Sequence, residues 1–200
     1  MKKRIIVMLL ALCLMTGIVS EANANLLTNG NFNSPNSADA PDAWTIWTWG
    51  SSAWANHQND SSSYDETYYM AVGGSSDSGA GLYQIVAATA GVTYTLTVDG
   101  GAQAWWKPYG EMKIFFLDAS DAVLDTQVAV TADPSGYDTQ VDWHNVTLTA
   151  IAPVGTTQIK IELACASGQG TVWFDNAVLV PEPATMAIFG LGLLLIKRKK

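Results

Sequence analysis

Hydrophobic and polar residues alternate with a period of two along most of the chain. Val92, Tyr94, Leu96 and Val98 interleave with Thr93, Thr95 and Thr97, the pattern of a strand with one buried face. Ile159, Ile161 and Leu163 alternate with Lys160 and Glu162 in the same way, and Val146 and Leu148 face away from Thr147 and Thr149. Further strands are predicted at Thr45–Trp49, Thr67–Val72, Leu82–Ala87, Met112–Leu117, Val123–Val130 and Thr171–Val180. Clusters of Gly, Asp, Ser and Pro punctuate them, at Gly73–Ser76, Asp118–Asp121, Asp133–Gly136 and Ala152–Gly155. Between residues 25 and 180 no window sustains helical spacing, and no internal repeat is present. About nine or ten short strands predict an all-β fold, an antiparallel sandwich of jelly-roll type. The polar stretches His57–Ser63 and Ser75–Gly81 read as surface loops.

The pattern breaks at both ends. Lys2, Lys3 and Arg4 precede an apolar run from Ile5 to Val19, and Ala22-Asn23-Ala24 supplies the small residues of a signal-peptide cleavage site. Residues 1–24 are thus predicted to be a leader, with Asn25 the first mature residue. Cys13 invites a lipoprotein reading, but Leu12 stands where a small residue is expected. At the other end Pro181-Glu182-Pro183 holds the chain extended, an apolar stretch runs from Ala184 to Ile196, and Lys197-Arg198-Lys199-Lys200 closes the chain. The 13 residues Ala184–Ile196 would span roughly 20 Å as a helix, against a hydrocarbon core of about 30 Å. That makes a marginal anchor with a cytoplasmic stop. The tail, residues 181–200, resembles the PEP-CTERM sorting signal of Gram-negative bacteria, with Pro181, Glu182 and Pro183 as its signature. The resemblance implies export through the inner membrane, transient insertion there, processing by an exosortase, and delivery to the envelope or extracellular matrix. A plain C-terminal membrane tail is the alternative.

Between the ends lies one domain, residues 25–180, long enough to bury a proper core. Seven of the ten basic residues sit in the two ends, so the domain keeps only Lys107, Lys113 and Lys160 against 16 acidic residues. Nothing in so acidic a domain would displace the counterions of nucleic acid or of an anionic lipid surface. Neutral glycans and divalent cations stay open as partners. Cys165 is alone in the domain, so no intrachain disulfide forms there; a small core residue at a strand end is the simpler reading than a reactive thiol.

Several phrases then suggest a family. Asn25-Leu-Leu-Thr-Asn-Gly-Asn-Phe-Asn33 opens the domain, Ala43-Trp44 follows, and Thr171-Val-Trp-Phe-Asp175-Asn176-Ala-Val-Leu closes it, with Tyr83-Gln84-Ile85-Val86, Gly91–Leu96 and Ala152–Thr156 between. In this order they resemble the carbohydrate-binding modules of families 4, 9 and 22, within the galactose-binding-like β-sandwich group. The resemblance implies glycan binding, and a structural Ca2+ where the first and last strands meet. Its positions here are Asn31, Asn33 and Asp175, with backbone carbonyls of the Gly30–Asn31 turn. Calcium wants six to eight hard oxygens, and Asn33 and Asn176 stand where carboxylates are usual. Turn and strand-end hydrogen bonding is the alternative role for the same residues.

Eight tryptophans and seven tyrosines, all within the domain, are the other chemical asset. Sugars stack their C–H faces on aromatic planes while fixed polar groups take their hydroxyls. In Trp44–Trp49, alternation puts Trp44 and Ile46 on a core face and Trp47 and Trp49 on the other. Trp54 follows in a polar loop, and Trp105, Trp106 and Tyr109 lie between two strands. Trp47, Trp49, Trp54, Trp105, Trp106 and Tyr109 are therefore the candidate ligand-binding residues, and Trp143 and Trp173 are assigned to core. Neither His57 nor His144 sits in a nucleophile or metal signature, and no carboxylate pair is singled out for glycosidase chemistry. The sequence thus points to an exported, surface-sorted, non-catalytic glycan-binding domain. A structural matrix or adhesion protein that uses the same sandwich for protein–protein contacts is the alternative.

Overall fold

The computed structural model describes residues 24–34, 40–59, 67–75, 77–102, 108–132, 143–167 and 170–182. Trp105, Trp106 and Pro183 lie outside the described residues, as do residues 1–23 of the expected leader and 184–200 of the tail. Within them every regular element is a strand. In chain order these are β1 (Thr45–Trp49), β2 (Trp54–Gln58), β3 (Tyr69–Gly74), β4 (Gly79–Ala87), β5 (Thr93–Ala102), β6 (Tyr109–Leu117), β7 (Val123–Ala132), β8 (His144–Ile151), β9 (Gln158–Ser167) and β10 (Gly170–Pro181). They form two five-stranded sheets, β1-β4-β9-β6-β7 and β2-β3-β10-β5-β8, and every pairing in both is antiparallel.

The alternation seen in the sequence becomes the inside and outside of the sandwich. Leu82, Met112, Ile114, Phe116, Ile159, Ile161 and Leu163 of the first sheet meet Met70, Val72, Leu96, Val98, Val172, Phe174 and Leu179 of the second in one core. Cys165 is buried with them, and burial pushes its thiol pKa up to about 11, against a weaker opposing hydrogen bond with the Tyr109 backbone. It is a packing residue, and its thiolate is disfavoured at neutral pH. Trp44 caps the same core from just before β1: it is 4 % exposed, tilts against Phe32 at 5.3 Å, and donates its indole N–H to the Asn29 carbonyl.

Three expectations need correction. Gly79, Ala80 and Gly81, the end of the stretch Ser75–Gly81 expected as a surface loop, are the buried start of β4, ordered by pairing with β1 and β9. Trp54–Gln58 is a strand, whereas the sequence read Trp54 as part of a polar loop and His57 onward as a loop. Only Ala55 of this strand is buried, so no apolar alternation marks it. Pairing with Tyr69–Gly73 supplies the order, helped by His57, which bonds the Phe32 carbonyl and stacks on Tyr68. The third correction concerns Pro181, which lies beyond the strand expected at Thr171–Val180. The ladder runs one bond further, since Pro181 pairs in register with Tyr94 and Glu182 donates its N–H to the Thr93 carbonyl. Leu179 turns its N–H to Asn25 Oδ1, away from β5. With a period of two, the missing N–H of Pro181 falls on that same side, so β5 loses nothing.

The chain ends meet at one end of the sandwich. Leu26 donates to the Leu179 carbonyl, Ala177 to the Gly30 carbonyl, and the Asn25 side chain bridges Leu27 N, Leu179 N and Ala177 O. The opening turn includes left-handed Asn29 and Phe32 (φ 52° and 53°), a conformation unusual for a side chain as bulky as Phe. Burial of the Phe32 ring and the hydrogen bonds of the Asn29 side chain to Ser34 and Asp42 hold it.

Trp44→Ala opens a large cavity in this core and is expected to cost about 3–5 kcal/mol of stability. Trp49→Ala, on a residue 52 % exposed, should stay within about 0.5 kcal/mol of wild type. Chemical denaturation of the two variants checks the assignment of faces.

Candidate functional site

The outward face of the first sheet brings together groups that lie far apart in sequence. Register defines its rows. Trp47 pairs with Gly81, Gly81 with Ala164, Ala164 with Glu111 and Glu111 with Val130. One step along, Thr45 pairs with Tyr83, Tyr83 with Glu162, Glu162 with Lys113 and Lys113 with Val128. A third row runs through Ile85, Lys160, Phe115 and Thr126. Opposite to these, each strand sends its apolar residues into the core, so the whole row set points outward.

Trp47 and Trp49 share this face and lie flat across β4. They can do so because the residues beneath them are glycines. A Cβ at Gly81 would stand 2.7 Å from the Trp47 ring, and one at Gly79 would stand 2.5 Å from Trp49 Nε1. Trp47 is half-buried, and its Nε1 is buried without a hydrogen-bond partner. An orphaned donor costs about 1–3 kcal/mol, which a phenylalanine at the same position would avoid.

Beyond the indoles lies a chain of charges. Lys113 Nζ sits 2.9 Å from Glu111 Oε2 and 3.5 Å from Glu162 Oε1, and Lys160 Nζ sits 3.0 Å from Glu162 Oε2. Lys160 also lies over the Phe115 ring at 4.2 Å and the Tyr83 ring at 5.3 Å, within cation–π range. Burial alone would lower the Lys113 pKa, but the hydrogen bond and charge of Glu111, joined by Glu162, outweigh it and hold the ammonium above its usual value. Two of the domain's three lysines are thus fixed on one face, balanced by two glutamates. The face presents donors, acceptors and aromatic planes with no local net charge.

The aromatic residues named from sequence divide between the two sheets. Trp47 and Trp49 belong to the face just described, and Tyr109 begins β6, two residues before Glu111. Trp54 is on the second sheet, its ring 2.7 Å from where a Cβ at Gly73 would stand. There it packs against a satellite cluster of Tyr69, Ala71 and Trp173, with Trp143 stacked on Trp173 at 6.1 Å. Trp143 and Trp173, assigned to core, therefore pack on the outside of the second sheet and not in the central core. Their alternation with apolar neighbours looked the same either way. Tyr83, Glu111, Lys113, Phe115, Lys160 and Glu162 were not singled out from sequence. Period two places Lys160 and Glu162 outward, but only strand order reveals that Lys113 and Tyr83 flank them.

Several of the oxygens named for calcium already accept hydrogen bonds. Asn31 Oδ1 accepts from Asn33 N, Asn33 Oδ1 from Tyr68 N, the Gly30 carbonyl from Ala177 N, and Asp175 Oδ1 from Asn176 N. Asp175 is the one carboxylate among them, set opposite Asp99 on β5. Calcium, which takes six to eight hard oxygens, stays an expectation for these residues, and no step is built on the ion. Asp99 in turn accepts from the Asn145 and Asn176 amides. A β-bulge between Asp175 and Val178, with Asn176 left-handed at φ 49°, brings Asn176 to it.

Comparison with known proteins bears on both the tail and the fold. Residues 179–200 match the PEP-CTERM protein-sorting motif. No curated protein sequence matches the chain. Among solved structures, the chain is similar to the enzymatically active domain of bacteriophage CBA120 tailspike protein 4, with TM-score 0.61 and 15 % identity over 78 % of this chain. It spans only 21 % of that tailspike chain. It is also similar to a family 16 carbohydrate binding module, with TM-score 0.54 and 21 % identity over 78 % of this chain and 99 % of the module. The CBM22-1 xylan-binding domain of Paenibacillus barcinonensis Xyn10C gives TM-score 0.53 and 11 % identity, covering 82 % of this chain and 97 % of that domain. At these identities the likeness establishes the β-sandwich fold.

The lysine network makes a pH prediction. A lysine whose pKa is raised on folding contributes stability that is complete below its unfolded value and is lost as pH rises through the folded value. Melting temperature should therefore fall as pH rises past 10.5, the ordinary lysine value. Lys113→Met should lack that part of the fall. All other titrating groups are common to both proteins, so the difference between the two profiles is the measurement.

Proposed function

We propose that the sandwich carried by this exported, surface-sorted protein, whose tail holds a PEP-CTERM sorting motif, is a non-catalytic glycan-binding domain, working at the envelope or in an extracellular polysaccharide matrix and released to it by an exosortase. One observation carries this reading: two indoles laid over Gly79 and Gly81 share an outward face with a fixed, locally neutral Lys–Glu network.

The chemistry suits an uncharged sugar chain. Trp49 is 52 % exposed and offers a plane for the C–H face of a pyranose, with Trp47 beside it for the next unit. Glu111 and Glu162 accept from sugar hydroxyls, Lys113 and Lys160 donate to them, and all four are already held in place, so little side-chain freedom is lost on binding. Polyanionic glycans are disfavoured by the surplus of acidic residues elsewhere on the domain. Among the described residues no group of three or more His, Cys, Asp or Glu is placed to hold a metal, and the carboxylates of this face are tied to lysines. A binding role needs nothing more than these groups.

A glycan array probed with the purified protein is expected to return neutral polysaccharide chains. Against the best of them, stacking of a ring on an aromatic contributes about 1–3 kcal/mol, so Trp47→Ala and Trp49→Ala should each weaken binding by roughly five- to a hundredfold. An array without hits would move the reading to a matrix or adhesion protein, and glycan binding untouched by both changes would move the site to the Trp105–Tyr109 stretch.

The sorting reading has its own check. Intact-mass analysis of protein recovered from its native host should find a chain without Met1 and without Lys200. A mature chain that retains Lys197–Lys200 would favour a plain membrane tail.

A further inference from the structure

We infer that the end of the sandwich from which the tail emerges is a membrane-contacting surface, which rests on the neutral lipid interface while the tail is inserted. The inference rests on the tail being a membrane-inserted sorting segment, and adds to it a docking surface on the folded domain.

Four observations converge on that end. First, the sheet holds the chain to Glu182, whose N–H bonds the Thr93 carbonyl and whose Oε1 accepts from Thr95 Oγ1. The apolar stretch starts at Ala184, so only Pro183 intervenes, and at 3.3–3.6 Å per residue the connection reaches about 7 Å at most. With the apolar segment in a bilayer, the domain has no linker with which to stand away from it.

Second, four of the eight large hydrophobic residues that stand exposed among the described residues cluster there. Val154 is 95 % exposed, Ile151 66 %, Val123 57 % and Leu124 40 %. Strand pairing places them together: Ile151 pairs with Thr93, the residue that receives Glu182, and Leu117 pairs with Val123. The Leu124 side chain lies 3.6 Å from where a Cβ at Gly155 would stand, next to Val154. Scattered single exposures need no explanation, but an apolar patch at one end does.

Third, the turns at this end, 88–92, 118–122 and 152–157, contain no lysine or arginine. Asp118 is turned inward on its own loop, where the Ser120 hydroxyl, Ser120 N and Ala122 N hold its carboxyl below the usual range. Asp121 stands exposed in the same turn, so this end carries negative and no positive charge; it suits zwitterionic headgroups, where an anionic leaflet would call for basic residues. Fourth, the opening segment leaves the sandwich at the same end, with Leu26 bonded to Leu179. The two apolar runs of the sequence therefore attach to the domain beside each other, and the glycan face lies along its side.

The test uses single labels on the chain without its leader, reconstituted in phosphatidylcholine vesicles. Val154→Cys carries an environment-sensitive fluorophore at this end, and Ser51→Cys carries it in the exposed turn between β1 and β2, at the opposite end. Both sites are exposed, and Cys165 is buried, so neither folding nor labelling is compromised. With nitroxide-headgroup lipid present, the Val154 label is expected to lose most of its emission and the Ser51 label to keep it. Vesicle flotation, read in parallel, reports whether the tail inserts. A chain that floats while both labels stay unquenched overturns the docking surface and leaves the tail reading standing. A chain that does not float overturns both. A Val154 label already shielded in the lipid-free protein overturns the proposal in favour of the tail folding back over its own domain.

Discussion

The sandwich is assembled around its last strand. β10 is the longest element, lies at the centre of the second sheet, and pairs with β3 on one side and β5 on the other. Past the bulge, where β3 ends, the opening segment takes over its free edge through Asn25, Leu26 and Gly30. Until residues 170–181 are in place, β3, β5 and the chain start have no common partner. The contacts that complete the core are thus among the longest in sequence, up to |i−j| of 154 for Asn25 with Leu179, and such topologies fold slowly. Because β10 runs into the sorting motif, the strand that completes the domain and the segment that addresses it are continuous.

The two outer faces use the same aromatic residues differently. On the second sheet Trp173, Tyr69 and Trp143 pack edge-on and stacked on one another, with Trp54 closing the group over Gly73. Those rings spend their surface on each other. On the first sheet Trp47 and Trp49 lie over Gly81 and Gly79, and the polar groups beyond them are locked in ion pairs. Surface ion pairs contribute little to stability, so the network is better understood through what its fixed geometry presents than through what it adds to folding. That contrast, more than the number of tryptophans, separates the face proposed for binding from the packing face.

Much of this was legible in the sequence. Period two alone supplied nine of the ten strands, and the division of Trp44 and Ile46 from Trp47 and Trp49 followed from it, because side-chain direction in a strand is a local property of the pleat. The sorting tail and the acidic balance of the domain are compositional and need no structure. The strand Trp54–Gln58 was hidden because its order comes from a neighbour across the sheet. The apolar alternation around Trp143 and Trp173 was equally silent on which covered surface they join, the central core or the outer cluster.

The candidate site divides along the same line. Sequence nominated Trp47 and Trp49, whose facing is fixed by their own strand, and placed Lys160 and Glu162 on an outward row. It had no means of joining Tyr83, Glu111, Lys113 and Phe115 to them, since those meet only through the order β1-β4-β9-β6 and its register. Nor could it tell that Gly79 and Gly81 lie beneath the indoles, or that Ile151, Val154 and Leu124 gather where the tail leaves. What the chain determines by itself is which way each side chain points and where each segment is addressed; which side chains become neighbours is decided by strand order, because residues adjacent in a sheet can be separated by any length of sequence.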